Sequence, residues 1–247
     1  MAEAARTRRP DALSAADIDF VRGLVIFEDA DILVLNKPAG LSSQGGRIRV
    51  HTLDELLAAF AKPSGVRPRL VHRLDRDTSG VILAARSQPA AAFLGKAMMA
   101  RRIAKTYLAI VAPGAPEPPA GVVESSLARQ EIGREAYVRV VAPDAPGSQA
   151  AHTRYRTLAA DNDAALVELS PRTGRMHQLR VHMASIGRPI AGDARYGGAL
   201  VLAGAPVPRL MLHAQALRFP HPAGGERRIE APQPADMQDL ASRIGAQ

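Results

Sequence analysis

Four short runs, Val122–Ala128, Ala136–Val141, Thr153–Leu158 and Ala165–Leu169, follow one another with only turn-like segments between them. Most alternate apolar with polar residues, the period of two that sets one face of a strand on a core and the other toward water. Strands joined this closely pair antiparallel or in a mixed sheet, because a parallel pair needs a long crossover. Pro143–Gly147 marks one hairpin loop, and the acidic turn Glu28–Asp31 between Leu24–Phe27 and Ile32–Leu35 marks another. Three stretches carry helical signals. Thr52 caps a helix over Leu53–Ala61, with Asp54 and Glu55 in its first turn. Ser87 caps a second helix running to about Arg101, in which Met98 and Met99 read as core filling. The third lies within Arg175–Gly187, its apolar face formed by Leu179, Val181, His182, Met183 and Ile186 and its end set by Gly187 and Pro189. The pattern predicts an α+β chain with a mixed, largely antiparallel sheet, flanking helices and no internal repeat.

A different stretch carries the chemistry. Val71–Ala85 reads VHRLDRDTSGVILAA. Apolar runs bracket His72, Arg73, Asp75, Arg76, Asp77, Thr78 and Ser79, which predicts a strand, a charged turn and a second strand, with Gly80 supplying the permissive backbone where the second begins. Charge this close to a core is expensive unless it is paired or has a task. Arg172, Arg175 and Arg180 cluster further on, and taken alone they read as a solvated basic face. His177 and His182 are five positions apart with no glutamate between them, so they do not form the helical zinc pair, and no metal site is expected. Gly45 and Gly46 lack the residues of a phosphate-binding loop. Asp193, after Gly192 in a turn, reads as structural.

Bulk properties narrow the classes. With 247 residues, 47% hydrophobic and 23% charged, the chain can bury a sizeable core. No cysteine is present, which excludes disulfides, thiol nucleophiles and cysteine-bound metals. No apolar run approaches the ~20 residues of a membrane span, and the first residues lack the apolar segment of a secretory signal, so the expected location is the cytoplasm. The net charge of +8 favours a polyanionic partner. Only Lys37, Lys62, Lys96 and Lys105 are lysines among the 32 basic residues, an arginine skew that genomic base composition also explains. Residues 1–20, with Arg6, Arg8 and Arg9, are expected to be a disordered arm before a single catalytic domain over residues 21–247.

The HRLD and TSG of the central stretch, with ILVLNKPAGL at Ile32–Leu41, AKTYLAIV at Ala104–Val111, TGRMHQLRVHMASIGRPIAGDARYG at Thr173–Gly197 and LMLHAQALRFPHP near the end, resemble the RluA-type RNA pseudouridine synthases. The resemblance spans roughly Gly23 to Ala231. It implies the pseudouridine synthase fold with a basic catalytic cleft, and an enzyme that isomerises specific uridines in ribosomal or transfer RNA. That isomerisation gains no atoms, so no cofactor is expected, and a monomer is expected. The resemblance makes Asp75 the catalytic aspartate, stacks Tyr107 on the target base, and gives Arg180 the task of holding Asp75. Arg73 enters the space left by the flipped base, and His72, Arg76, Arg172 and Arg175 complete the RNA-binding set. The small RNA-binding domain that many relatives carry ahead of the catalytic one is expected to be missing, because only about twenty residues precede the first predicted strand. Two rivals stand beside this reading. A noncatalytic RNA-binding protein retaining the fold is one. A glycosidase is the other, though that chemistry usually wants two cooperating carboxylates, and the surroundings of Asp75 and Arg180 are mostly basic.

Overall fold

Gly80 marks the place where two halves of the sheet meet. Its φ of +116° lies where side-chain-bearing residues are strained, and a Cβ there would sit 2.2 Å from the carbonyl oxygen of Ala214. The absence of a side chain lets β4 (Ser79–Ala85) lie directly against β12 (Leu212–Pro220). The two run parallel and share the pairs His213↔Ser79 and Ala214↔Gly80 before they diverge. The computed structural model describes residues 12–45, 51–133, 135–202 and 204–244.

On one side of this seam lie β1 (Val25–Glu28) and β2 (Ile32–Lys37), with β3 (Arg69–Leu70) pairing the far end of β4. On the other side the order continues through β5 (Ala104–Val111), β9 (Ala165–Pro171), β8 (Gln149–Ala160), β6 (Ala120–Ile132) and β7 (Glu135–Val141), with β13 (Glu226–Glu230) also on β12. Every ladder except the seam is antiparallel, so the expected mixed, largely antiparallel sheet is what forms. A separate hairpin joins β10 (Val201–Leu202) to β11 (Ala205–Pro206). The four predicted C-terminal runs are β6 to β9, and the acidic turn joins β1 to β2.

The caps are set as the sequence implies. Thr52 and Glu55 form a reciprocal capping box on α2 (Leu53–Leu56), which continues as a 3₁₀ turn over Leu57–Phe60. Ser87 accepts from the Ala90 amide at the start of α3 (Gln88–Met99). The predicted disordered arm is corrected in part. Ser14 and Asp17 make another capping box on α1 (Ala15–Gly23), whose Val21 is buried, so a capped helix occupies the end of that segment. The arginines at 6, 8 and 9 lie outside the described residues, as does Gly46. Met99 is also not core filling: it is 79% exposed at the end of α3.

Ile32–Leu35 and the whole of β4 are buried, each large aliphatic side chain contributing about 1.5–3 kcal/mol. α3 packs on β4, while α4 (Gln178–Ser185) packs on β6, β7 and β8 and closes a smaller core of Leu127, Val138, Ala151 and Val181. α5 (Ala235–Arg243) follows β13 and buries Met237. Among the described residues, no helix is long and apolar enough to cross a membrane, and no cluster of histidine and carboxylate side chains could hold a metal ion.

Candidate active site

The turn between β3 and β4 is pinned on both sides. The Val71 amide donates to the Leu83 carbonyl at 2.9 Å, and the Leu83 amide donates to His72 Nε2 at 3.2 Å. Ser43 Oγ accepts from the Leu74 amide at 3.0 Å and donates to the Leu74 carbonyl at 2.7 Å. One step beyond Asp75, the Arg76 carbonyl accepts from the Gly40 amide and from Lys37 Nζ, at 2.9 and 3.0 Å. Lys37 is fully buried, and its ammonium also donates to the carbonyls of Pro38 and Leu41. Burial pushes its pKa down to about 7, against the upward pull of Asp77 and Asp75. Asp75 is thus a half-buried carboxylate on a turn whose flanking residues, Leu74 and Thr78, are buried.

Asp75 lines a pocket of about 100 Å³ together with Tyr107 from β5, Leu212 from β12, and His177 and Arg180 from the start of α4. Tyr107 is 8% exposed, and burial, with Asp75 adding to it, holds its phenol proton far more tightly than usual. It offers a flat, uncharged wall.

Arg180 does not hold Asp75 directly, as the resemblance implies it should. Its Nε and Nη2 donate to Asp193 Oδ2 and Oδ1, each at 2.7 Å, and no hydrogen bond or ion pair joins it to Asp75. Asp193 is therefore structural, as expected, but its structural task is this arginine. Burial works against the Arg180 charge. The Asp193 hydrogen bonds and charge outweigh that and raise its pKa, with the field of Asp75 adding to the rise. The reading of Arg180 as a solvated surface cation is also excluded, since it is 8% exposed.

The pocket shares much of its lining with a cleft of about 1300 Å³, which Arg73, Arg76, Arg172 and Arg175 all border as exposed residues. Arg76 Nε also braces the Gly40 carbonyl at 3.1 Å. His72 is a correction among the RNA-binding set. It is 9% exposed, its Nε2 is taken by the Leu83 amide, and burial, helped by the charge of Lys105, pushes its pKa down to about 3. It fastens the turn to β4 and has no charge to offer a phosphate. The cleft contains further cations that the sequence did not single out: Arg101, Arg154, Arg218 and Arg228, and Lys105, which lines both spaces. Arg101 has a left-handed φ of 55° after α3, an outlier that local sequence does not announce. Lys37 was equally invisible as a site residue, its signal being only a lysine ending a buried strand before Pro-Ala-Gly.

Comparison with known proteins bears on this arrangement. The family described as RNA pseudouridylate synthase matches residues 31–185. An uncharacterised RNA pseudouridine synthase of Bacillus subtilis is 38% identical over 222 residues, covering 87% of this chain and 70% of the relative. Ribosomal large subunit pseudouridine synthase C of Escherichia coli is 41% identical over 216 residues, covering 85% of this chain and 66% of the relative. This chain thus spans about two thirds of the length of either. Among solved structures, human RNA pseudouridylate synthase domain containing 4 superposes with a TM-score of 0.77 at 27% identity, covering 92% of this chain and 96% of that one. The matched family covers well over half of the chain, the Bacillus subtilis relative is 38% identical with 70% of its length covered, and the chain belongs to the RNA pseudouridine synthase family.

Proposed function

We propose that this protein converts specific uridines to pseudouridine in structured RNA, ribosomal RNA above all, with Asp75 as the catalytic carboxylate. The observation that carries the reading is the convergence of Asp75, Tyr107 and Arg180, from a turn, a strand and a helix, on one small pocket beside a cleft bordered by arginines. The similarity to ribosomal large subunit pseudouridine synthase C supports the choice of RNA and, with it, a cytoplasmic site of action.

The reaction breaks the bond between the ribose anomeric carbon and N1 of uracil, turns the base, and rejoins it through C5, whose hydrogen leaves as a proton while N1 takes one up. Atoms are conserved. Asp75 either attacks the anomeric carbon, giving a covalent intermediate, or removes a sugar proton, giving a glycal. Both need the carboxylate ionised. Arg180 sets a cation in the same pocket, fixed in place by Asp193, and its Nη1 has no hydrogen-bond partner among the described residues. Tyr107 packs against the uracil face. The target uridine reaches the pocket by flipping out of its stack, Arg73 fills the gap, and Arg76, Arg172 and Arg175 bind the flanking phosphates.

The test is tritium release from RNA labelled at C5 of uridine, using purified protein and ribosomal or transfer RNA transcripts. Release that is absent with Asp75→Asn supports the reading. Tight RNA binding by the wild-type protein with no release from any transcript supports the noncatalytic alternative.

A further inference from the structure

His177 occupies a backbone conformation that few non-glycine residues adopt, with φ 52° and ψ 17°, at the N-cap of α4. Its side chain makes no capping hydrogen bond to the helix, so capping does not account for a histidine there. Strain of this kind collects where a side chain has work to do. The ring instead lies edge-on to Tyr196, with centroids 5.6 Å apart at 75°. His177 Nδ1 is 2.8 Å from the Tyr196 hydroxyl, and the Val138 amide donates to the same hydroxyl at 3.0 Å. Tyr196 is itself held by the Arg180 guanidinium, 5.0 Å from its ring centroid.

This chain of contacts fixes a proton. The hydroxyl oxygen accepts from Val138, so the arrangement that leaves no donor idle sends the hydroxyl proton to Nδ1. A neutral imidazole accepting at Nδ1 carries its own proton on Nε2. Burial opposes protonation of the ring. The cations Arg180 and Arg195 reinforce burial, and Asp75 and Asp193 oppose it only in part, so the pKa is lowered. Nε2 has no hydrogen-bond partner among the described residues, and His177 lines the pocket that Asp75 and Tyr107 share.

We propose that His177 is a further catalytic residue, donating a hydrogen bond from Nε2–H to a carbonyl oxygen of the uracil held in this pocket. The assignment rests on the reading of the pocket as a uridine site. When the glycosidic bond breaks, its electron pair stays on N1, and the negative charge spreads over O2 and O4 of the detached base. A preorganised neutral donor stabilises that charge where it develops. The geometry of the isomerisation then makes one donor sufficient. Turning uracil about its N3–C6 axis exchanges N1 with C5 and, in the same movement, O2 with O4. A donor facing O2 before the turn therefore faces O4 after it, and C5 faces the anomeric carbon. A neutral imidazole serves both orientations without pairing so strongly with the anionic base that it cannot turn.

The experiment compares wild type, His177→Asn and His177→Gln in the tritium-release assay, alongside thermal melts and RNA affinity measured separately. Asparagine suits left-handed backbone, so it tests the loss of the ring with the fold kept. The expected result is a fall in kcat on the order of 10²-fold for His177→Asn, RNA affinity within about twofold of wild type, and partial recovery with glutamine, whose amide reaches further. Wild-type kcat in a folded His177→Asn protein, or a defect confined to RNA affinity, overturns the assignment. Nitrogen-15 NMR of the wild-type protein gives an independent check that needs no variant: the proton belongs on Nε2, and a ring protonated on Nδ1 alone refutes the proposal. Asp75→Asn separates the two levels. If wild type is active and Asp75→Asn is not, failure at His177 leaves the uridine reading standing; if wild type is inactive on all transcripts, both fall.

Discussion

Arg180 and Asp193 hold one another in a two-point fork, both contacts 2.7 Å long, with the arginine side chain 9% and the aspartate 0% exposed. Asp193 Oδ1 also accepts the amides of Arg195 and Tyr196, at 3.1 and 3.2 Å. The cation beside Asp75 is therefore oriented before any substrate arrives. A long side chain that would otherwise sample many rotamers is fixed by the turn that follows α4, which is how a charge becomes useful to a site without reorganising during the reaction.

Arg180→Met should destabilise the fold by about 3–5 kcal/mol, because it leaves Asp193 ionised and buried. Adding Asp193→Asn should return part of that loss, whereas adding Asp75→Asn should return less, because no hydrogen bond or ion pair joins Asp75 to Arg180. Urea unfolding of the single and double variants measures both couplings. A strong coupling to Asp75 and none to Asp193 would reverse the assignment made from the fork.

Asp75→Asn should leave the melting temperature and RNA affinity near wild type and abolish turnover. The substitution is nearly isosteric and removes the charge that either chemical route requires. Substantial tritium release by a clean preparation of this variant would show that the reaction uses another group.

RNA binding should weaken steeply with salt. Arg172→Ala and Arg175→Ala should each reduce the slope of log affinity against log salt by about 0.7–0.9, the contribution of one phosphate contact. His72→Ala should leave that slope alone and instead lower stability by about 2–4 kcal/mol, since it opens a cavity and orphans the Leu83 amide. If the histidine variant changes the slope and not the stability, His72 is an RNA contact after all.

Stability should fall as the solution is acidified below about pH 6.5. Burial pushes the pKa of His182 and His213 down from 6.5 to about 4, and that of His72 to about 3. Between those values and 6.5 the unfolded chain takes up protons that the folded chain refuses, so unfolding is favoured as pH drops. Three such groups give a slope approaching about 4 kcal/mol per pH unit near pH 5. Denaturant titrations at pH 5, 6 and 7.5 check this, and equal stability at all three rejects it.

What could be read from the chain and what could not divide along physical lines. Strands β6 to β9 alternate because one face of each is solvated, and local turn residues separate them, so period and punctuation both point the same way. β12 does not alternate: most of Leu212–Pro220 is buried on both faces, as a central strand requires, and its histidine and glutamine disguise it. That Asp75 sits in a charged turn against a buried strand was legible from the local pattern, and the catalytic role proposed for it comes from the motif. The partner of Arg180 was not, because Asp193 lies 13 residues away across a turn and its approach depends on tertiary packing. His72 shows the converse limit. A histidine in a charged turn reads as exposed, yet the register of β3 on β4 carries it under Leu83.

The short parallel contact between β4 and β12 also sets an order of events. Residues 213 and 214 meet Ser79 and Gly80, a separation of 134 positions, and loop closure over such a span is slow compared with hairpin formation. During synthesis, Asp75, Tyr107 and Arg180 all leave the ribosome before the strand that joins their two halves of the sheet. A nascent chain ending before Leu212 carries every proposed catalytic side chain and no seam to seat them on. The enzyme thus matures with its last central strand, and a chain truncated ahead of it should be inert toward the RNA around it.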